Sequence, residues 1–303
     1  MTRRFAVMGG FSSLSRQAKG LLITSAGVVV LSVQGIPIRL VDVDAWTLMF
    51  VRGVLSAPGL FAFFLIVERT RWKEELRAGM GLAGVTAALL FALDNVMFIY
   101  SITHTSVANT LLMISLSPLF AGLLTRIALR QQVPRRTWLA IAGAAVATLV
   151  IMYGSLVAGD FLGTLAGLVA AIAIGGTLVV LRSKPSLNMV PAVALGAGLA
   201  GLVGLPAANP ASAGLRDWVL LVILGLVIGP LAFGLIATGP RFIPAAEVAL
   251  LLLLQTVLGA YWVWIAVGEI PGTATVAGGL MLLVVLTLHS VATLKSLEGD
   301  QPA

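Results

Sequence analysis

Long apolar runs separated by short polar turns dominate the chain and set its architecture. A helix that crosses a bilayer needs about 20 mostly apolar residues, and runs of this kind follow one another with short connections. The strands of a membrane barrel would instead give alternating segments of roughly ten residues. The pattern therefore predicts an all-α integral membrane protein with ten transmembrane helices, at residues 20–38, 45–66, 79–101, 105–126, 137–156, 160–181, 188–208, 217–238, 244–266 and 273–294.

The composition of the chain indicates that lipid is the solvent for these helices. The chain has 303 residues, of which 59% are hydrophobic and 10% charged, whereas a soluble domain has about 25% charged residues. Arginines precede the first apolar run, as they do in a signal peptide. No small-residue cleavage site is evident after that run, so we expect an uncleaved first helix.

The basic residues are distributed unevenly between the two sides of the predicted bundle. Of the 19 lysines and arginines, only Arg39 and Arg216 fall in connections on one side, and Arg52 lies within a span. Because basic loop residues concentrate on the cytoplasmic side, we predict a multi-pass protein of the bacterial inner membrane with both termini in the cytoplasm. The net charge of +7 is then a topology signal with some attraction to anionic lipid headgroups, and nucleic-acid binding is not expected. The other side receives Arg3, Arg4, Arg16, Lys19, Arg69, Arg71, Lys73, Arg77, Arg126, Arg130, Arg135, Arg136, Arg182, Lys184, Arg241 and Lys295.

Two stretches of the sequence, 137 positions apart, are built alike. They read "LLMISLSPLFAGLLTRIALRQQVP" (111–134) and "VALLLLLQTVLGAYWVWIAVGEIP" (248–271). In each, a long apolar helix leads to a short turn that ends in proline, and a glycine-bearing helix follows. The shift superimposes Leu116 on Leu253, Gly122 on Gly259 and Pro134 on Pro271.

The repeat has a period of five helices, since the first copy occupies predicted spans four and five and the second occupies spans nine and ten. Five is an odd number, so the second half enters the membrane in the opposite orientation. Inverted repeats of this kind let secondary transporters expose a midplane site to one side and then the other. We therefore predict a single transmembrane domain at 1–303, with inverted repeats at 18–156 and 159–296.

Three segments of the chain resemble the EamA-type repeat of the drug/metabolite transporter superfamily. They are residues 99–151 with "SPLFAGLLTR", "DAWTLMFVRGVLSAPGL" (44–60) and "GEIPGTATVAGGLML" (268–282). The resemblance extends over essentially the whole chain. The first repeat departs from the family pattern at Gln132, where glutamate is usual, whereas the second repeat keeps Glu269.

The resemblance implies a function and an arrangement of helices. Members export amino acids and other small metabolites, some import them, and several carry drugs. A central cavity lined by spans from both halves is implied, with spans five and ten at the periphery. We therefore predict a secondary transporter that exports amino acids or related metabolites by alternating access. A multidrug or cationic-compound exporter, a metabolite importer and, in a different class, a membrane-embedded enzyme are the alternatives.

Polar side chains inside the predicted spans are candidates for the transport site, because each is costly in a bilayer. Gln34, Arg52 and Asp94 fall at similar depths in spans one, two and three. As an ion pair, Arg52 and Asp94 would pin two helices together. As substrate contacts, Asp94 would bind an ammonium and Arg52 a carboxylate, which suits a zwitterionic amino acid. Asp94 is also a candidate for proton coupling.

Further candidates lie on spans three, four and nine. Pro118 cannot donate a backbone hydrogen bond, so it is either a hinge or a packing kink. The 137-residue shift places Gln255 opposite Pro118, where it lines the cavity or hydrogen-bonds a neighbouring helix. Lipid contact or interhelical packing is the alternative for the remaining candidates, which are Asn95, Phe98, Asn109, Met113 and Ser117.

Two ionisable residues near the predicted cytoplasmic side are candidates for gating or proton coupling. Glu247 opens span nine, and His289 falls at a comparable depth late in span ten. A glutamate in the first turn is also favoured by the helix dipole, so Glu247 is alternatively a simple cap. The aromatic cluster Tyr261, Trp262 and Trp264 is either an interfacial belt or a lid over the cavity.

Several kinds of chemistry have no motif in this chain. It lacks cysteine, the phosphate-binding G-x-x-x-x-G-K-[ST] motif and the H-E-x-x-H and G-x-S-x-G motifs. We therefore expect a carrier rather than an enzyme or an ATP-driven pump, with no metal and no cofactor. Its partners would be a small organic solute and membrane lipid, and it would act as a monomer or homodimer.

Overall fold

The structure is a computed structural model that describes residues 15–105, 107–152, 161–268 and 273–298. Helices joined by turns make up this part of the chain. A π-helical stretch, Ile223–Ile228, joins α11 to α12. The α-helices are α1 (Arg16–Ser32), α2 (Gly35–Leu40), α3 (Ala45–Val67), α4 (Trp72–Gly79), α5 (Leu82–His104), α6 (Val107–Ile114), α7 (Ser117–Ala128), α8 (Arg135–Met152), α9 (Phe161–Ser183), α10 (Val190–Gly204), α11 (Leu215–Val222), α12 (Gly229–Thr238), α13 (Ala245–Leu252), α14 (Leu254–Val267) and α15 (Thr273–Glu298).

The helical membrane architecture predicted from the sequence is confirmed. Seven helical segments of the described chain are long and apolar enough to cross a membrane, and a shorter apolar segment covers Val276–His289. Each of the ten predicted ranges overlaps an observed helix. The seven are Arg16–Leu40, Ala45–Val67, Leu82–Ser101, Phe161–Ser183, Val190–Ala207, Leu215–Arg241 and Ala245–Ala266.

Two of the predicted spans are interrupted at related positions. Helix α6 ends at Ile114 and α7 begins at Ser117. Pro118 occupies the first turn of α7, where its missing N–H costs no helical hydrogen bond. Helices α13 and α14 are separated at Leu253, although no proline lies there. The second interruption falls at the residue that a 137-position shift aligns with Leu116.

Polar contacts between connections lie at two ends of the helical bundle. At one end, Arg182 Nη1 donates to the Pro240 carbonyl at 3.0 Å. At the other, the Asn209 backbone N–H donates to Thr47 Oγ1 at 2.7 Å. We call the first the basic end, because it carries most of the arginines of the described connections; the second is the opposite end. Arg3 and Arg4, counted in the topology prediction, lie outside the described residues.

Asp44 fixes the start of α3 at the opposite end. Its Oδ1 accepts hydrogen bonds from the backbone N–H groups of Trp46 and Thr47, both at 2.9 Å, which is the usual role of an N-cap aspartate. Partial burial would raise the pKa of Asp44, but hydrogen bonds from the Thr47 side chain and backbone outweigh it and lower the pKa. The cap is therefore ionised at neutral pH.

Helices α8 and α15 pack mainly against each other. Gly143 of α8 lies against Val285 of α15, and the two helices contribute to one apolar cluster with Leu250 and Leu253. Neither helix supplies a residue to the cavity described below. These are predicted spans five and ten, and their packing agrees with the peripheral position that the family resemblance implies.

Helices α3 and α10 approach so closely that a side chain at Gly53 has no room. A Cβ atom there would lie 2.6 Å from the Ala197 carbonyl oxygen and 2.7 Å from the Gly201 Cα. Small residues at such crossings let membrane helices make close contact. Both obstacles are backbone atoms, so relief requires the helices to move apart.

We expect Gly53→Ala to lower the apparent melting temperature of the detergent-purified protein by roughly 5 °C, since overpacking a tight contact costs about 1–3 kcal/mol. Gly122→Ala is the matched control. A Cβ atom there would meet Trp138 at 3.4 Å, which is an ordinary contact. Equal melting temperatures for the two variants would contradict the close approach of α3 and α10.

Candidate functional site

A cavity of about 150 Å³ lies at the centre of the bundle. Its walls come from α1, α3, α5 and α6 in the first half of the chain and from α9, α10, α12, α13 and α14 in the second half. Most of the lining is aliphatic or aromatic. Its polar members are Gln34, Arg52, Asp94, Asn95, Thr177 and Gln255.

The guanidinium group of Arg52 is held in this cavity by two neutral amides. Arg52 Nη2 donates to Asn95 Oδ1 at 2.8 Å, and Nη1 donates to Gln34 Oε1 at 3.4 Å. The Asn95 side chain is fixed in turn, because its Nδ2 donates to the Phe91 carbonyl at 2.8 Å. A guanidinium has more N–H donors than these two bonds use, so donors remain for an anionic group in the cavity.

Asp94 lines the same cavity one residue before Asn95 on α5. It interacts electrostatically with Arg52. Within the described residues, however, no hydrogen bond or ion pair joins Asp94 directly to Arg52. The direct structural pair, one of the alternatives raised from the sequence, is therefore not formed here. Opposite charges in a space lined mostly by apolar side chains leave both groups able to bind a ligand.

Aromatic rings form much of the apolar wall around these two charges. Phe91 and Phe233 meet edge to face, with ring centroids 5.2 Å apart and planes at 84°. Phe98 and Ile114 line the cavity as well. Of the residues proposed from the sequence, Phe98 lines the cavity, and so do Gln34, Arg52, Asp94, Asn95 and Gln255.

Two predicted cavity residues lie elsewhere. Met113 packs against Gly167 of α9, and Ser117 is buried at the first residue of α7. Neither lines the cavity, whereas Ile114 does. One residue along a helix turns the side chain by about 100°, so Met113 and Ile114 point to different neighbours. The side chain of Asn109 lies outside the described residues, as does Glu269.

Gln255 reaches the cavity wall from α14 close to the interruption at Leu253. Its Oε1 atom is buried and has no hydrogen-bond partner among the described residues, which is costly for a polar atom inside a protein. Pro118, which the 137-residue shift aligns with Gln255, is buried at the start of α7. A helix interruption thus lies close to each of these aligned residues.

Glu247 and His289 are both buried near the basic end, with 3% and 8% of their surfaces exposed. Gln17 Nε2 donates to Glu247 Oε2 at 3.4 Å, and neither ring nitrogen of His289 has a hydrogen-bond partner in the part of the chain that the structure describes. Each of the two residues interacts electrostatically with Arg136. In the described part of the chain no direct bond joins them, and Arg136 is a charged group that lies near both.

The aromatic cluster on α14 lies outside the lining of the cavity. Tyr261 and Trp264 are 47% and 45% exposed, and Trp262 Nε1 donates to Ser32 Oγ at 2.9 Å. None of the three rings lines the cavity. This position agrees with an aromatic belt rather than a lid.

Sequence reasoning missed the contribution of α9, α10 and α12 to the cavity. Thr177, Val193 and Phe233 line it, but α9, α10 and α12 are apolar on all sides and give no facing signal. The polar residue Thr177, within "AIAIGGTL" (171–178), was the available clue. Among the described residues, no group of three His, Cys, Asp or Glu side chains is placed to hold a metal ion.

Comparisons with known proteins give a consistent result. Residues 18–153 match the EamA-like transporter family. The pseudopaline exporter CntI of Pseudomonas aeruginosa, from strains UCBPP-PA14 and PAO1, is 25% identical over 241 residues, covering 76% of this chain and 81% of the exporter. A solved structure titled "Crystal structure of protein" superposes with a TM-score of 0.74 at 14% identity, covering 91% of this chain and 98% of that one. The fold is therefore shared with a known structure.

Proposed function

We propose that this chain, which contains a domain of the EamA-like transporter family, moves small zwitterionic solutes of the amino-acid type across the bacterial inner membrane by alternating access. The observation that carries this proposal is the pair of opposite charges in the central cavity. Arg52, which lines the cavity, retains N–H donors beyond the two that bind Gln34 and Asn95, and Asp94 has no hydrogen-bond or ion-pair partner among the described residues.

The chemistry of the cavity suits a solute with three parts. A carboxylate would take the free donors of Arg52, which bind such groups in a planar, often bidentate geometry. An ammonium group would lie against Asp94. An apolar side chain would pack among Phe91, Phe98 and Phe233, which line the same cavity. Amino acids with aliphatic or aromatic side chains, or metabolites derived from them, have all three parts.

The arrangement of the halves supports alternating access. Contacts at the basic end include Arg182 with Pro240, and Arg136 Nη1 with the Ala292 carbonyl at 3.3 Å. At the opposite end, Gly163 lies against Thr105. The first half thus begins at the basic end with α1, and the second half begins at the opposite end with α9. An inverted five-plus-five repeat has this order, and the interruptions aligned by the 137-residue shift support it further.

Export is the proposed direction of transport. The relative with 25% identity is a pseudopaline exporter, a metabolite exporter. The basic end would be the cytoplasmic end by the distribution of lysine and arginine, so solute would load there. Because the chain shows no nucleotide-binding motif, the free energy would come from a solute or proton gradient.

A matched series of ligands tests the proposed recognition. We expect L-leucine or L-phenylalanine to stabilise the purified protein against thermal unfolding. Their amides, which lack the carboxylate, and their N-acetyl derivatives, which lack the ammonium, should bind about 10-fold or more weakly, since each leaves a buried charge unpaired. Preferential binding of the amides, or of lipophilic cations, would contradict the proposal and favour the cationic-compound exporter.

A further inference from the structure

A cluster of charged side chains lies directly beneath the cavity at the basic end. Glu247, in the first turn of α13, is 3% exposed. Gln17 of α1 donates to it, and Arg136 of α8 and Arg182 of α9 both interact electrostatically with its carboxylate. One carboxylate is therefore shared by three other helices that come from both halves of the chain. A helix cap would not need these partners.

Positive charge exceeds negative charge in this cluster. Arg16 of α1 lies close enough to Arg182 for the two to repel each other. Arg136 also interacts electrostatically with His289 of α15.

The other charged groups on the packed elements lie around this cluster. Arg241 is 3.8 Å from Glu68, and α1, α7 and α8 carry Lys19, Arg126 and Arg135. Glu247 is thus a carboxylate whose negative charge attracts both Arg136 and Arg182.

The cluster is placed where it would close the cavity. Leu181, which lines the cavity floor, directly precedes Arg182. Arg182 donates to the Pro240 carbonyl and Arg16 Nη2 donates to the Arg241 carbonyl, each at 3.0 Å. The turn before α13 is therefore bound by α1 and by α9 at once. Opening the basic end requires these contacts to part.

The helices on the two sides of the cavity meet mainly at this end. Helix α13 packs against α7 and α9, whereas α14, beyond the interruption at Leu253, packs chiefly against α1 and α2. The walls formed by α5, α6 and α9 therefore approach the α1 and α14 wall most closely beneath the cavity. The basic end is the closed end in this structure.

We propose that Glu247 is a proton-binding residue that holds the basic end of the cavity closed while it is ionised and lets it open when it is protonated. Loss of the carboxylate charge removes the attraction to Arg136 and Arg182. The mutual repulsion of the arginines, which lie on α1, α8 and α9, then favours separation of these helices. The inference rests on the proposed alternating access and adds a proton as the coupled ligand.

A cysteine reporter measures the opening without any solute. The chain has no native cysteine, and Val248, next to Glu247, is 0% exposed. We would measure the rate at which a membrane-impermeant maleimide labels Val248→Cys from the basic end, in vesicles, over a range of pH. Because maleimides react with the thiolate, each rate is divided by that of the exposed reporter Gln131→Cys at the same pH.

The expected labelling follows from the charge on Glu247. With native Glu247, normalised labelling of the Val248→Cys reporter should rise about fivefold or more as the pH falls through the titration of the carboxyl. Adding Glu247→Gln should give the high rate at every pH. Glu74→Gln, on an exposed side chain of α4, is the matched control and should leave the profile unchanged.

Three results would overturn the assignment. Slow labelling of Val248→Cys in the Glu247→Gln variant at all pH values would show that the charge of Glu247 does not keep the basic end closed. An acid-induced rise that survives Glu247→Gln and disappears in His289→Gln would move the titrating group to His289. A reporter with native Glu247 that labels slowly even in acid would exclude a proton-dependent opening whether or not the variants fold. Since no solute is present, these results are independent of the proposed substrate.

Discussion

Replacing Arg52 with glutamine weakens binding of a zwitterionic amino acid about 10- to 100-fold, because a hydrogen bond to a charged partner is worth about 1.5–3 kcal/mol. Arg52 keeps N–H donors free in the cavity, since its hydrogen-bond acceptors among the described residues are the neutral amides of Gln34 and Asn95. The variant removes that cation and leaves Asp94 without an opposite charge. Isothermal titration or thermal stabilisation by the amino acid measures the loss.

Two further variants separate recognition from folding. Arg52→Lys keeps the charge but not the planar fork, so its affinity should lie between those of the native protein and Arg52→Gln. Arg216→Gln is the matched control, because Arg216 is exposed at the opposite end, away from the cavity. If Arg52→Gln melts normally and binds the amino acid as tightly as the native protein, Arg52 is not the carboxylate site.

Replacing Asp94 with asparagine should weaken binding of the zwitterionic amino acid and strengthen binding of a derivative whose amino group carries no charge. We expect the zwitterion to bind about 10-fold or more weakly, since the ammonium loses its carboxylate partner. The N-acetyl derivative should bind better than it does to the native protein, because the repulsion between Asp94 and an anionic ligand is gone. Competition of both ligands against a labelled amino acid measures the two effects in one experiment.

The same variant distinguishes substrate contact from proton coupling at Asp94. A protein that binds and exchanges the zwitterion with native affinity, but no longer responds to a pH gradient, would make Asp94 the proton carrier. Asp42→Asn, at an exposed position near the opposite end, is the control for a lost aspartate. Affinities of the amide and the N-acetyl derivative for Asp94→Asn and for Arg52→Gln complete a double-perturbation cycle. The cycle shows whether Arg52 contacts the carboxylate of the ligand and whether Asp94 contacts its ammonium group.

The sequence indicated candidate cavity residues at positions where a polar side chain interrupts an apolar helix. Gln34, Arg52, Asp94 and Gln255 are visible because each is costly in lipid, and all four line the cavity. Pro118 marked a helix break for the same reason, since proline removes a backbone donor. The break at Leu253 has no such residue and was not predicted from the sequence.

The remaining features depend on tertiary packing. Val193 and Phe233 line the cavity from helices that are apolar all round, so no periodicity shows which face is inward. Met113 and Ile114 are equivalent by composition, and helix rotation alone decides which one reaches the cavity. The partners of Glu247 come from α1, α8 and α9, and no local motif joins them.

Counterflow in proteoliposomes tests the carrier mechanism most directly. Vesicles loaded with unlabelled L-leucine or L-phenylalanine should take up a trace of the same labelled amino acid to a level transiently above equilibrium and release it chemically unchanged. Arg52→Gln vesicles should lose this overshoot. If the native protein binds the amino acid but only equilibrates it without an overshoot, returns it chemically altered, or moves none, then a solute carrier built around this cavity is the wrong account.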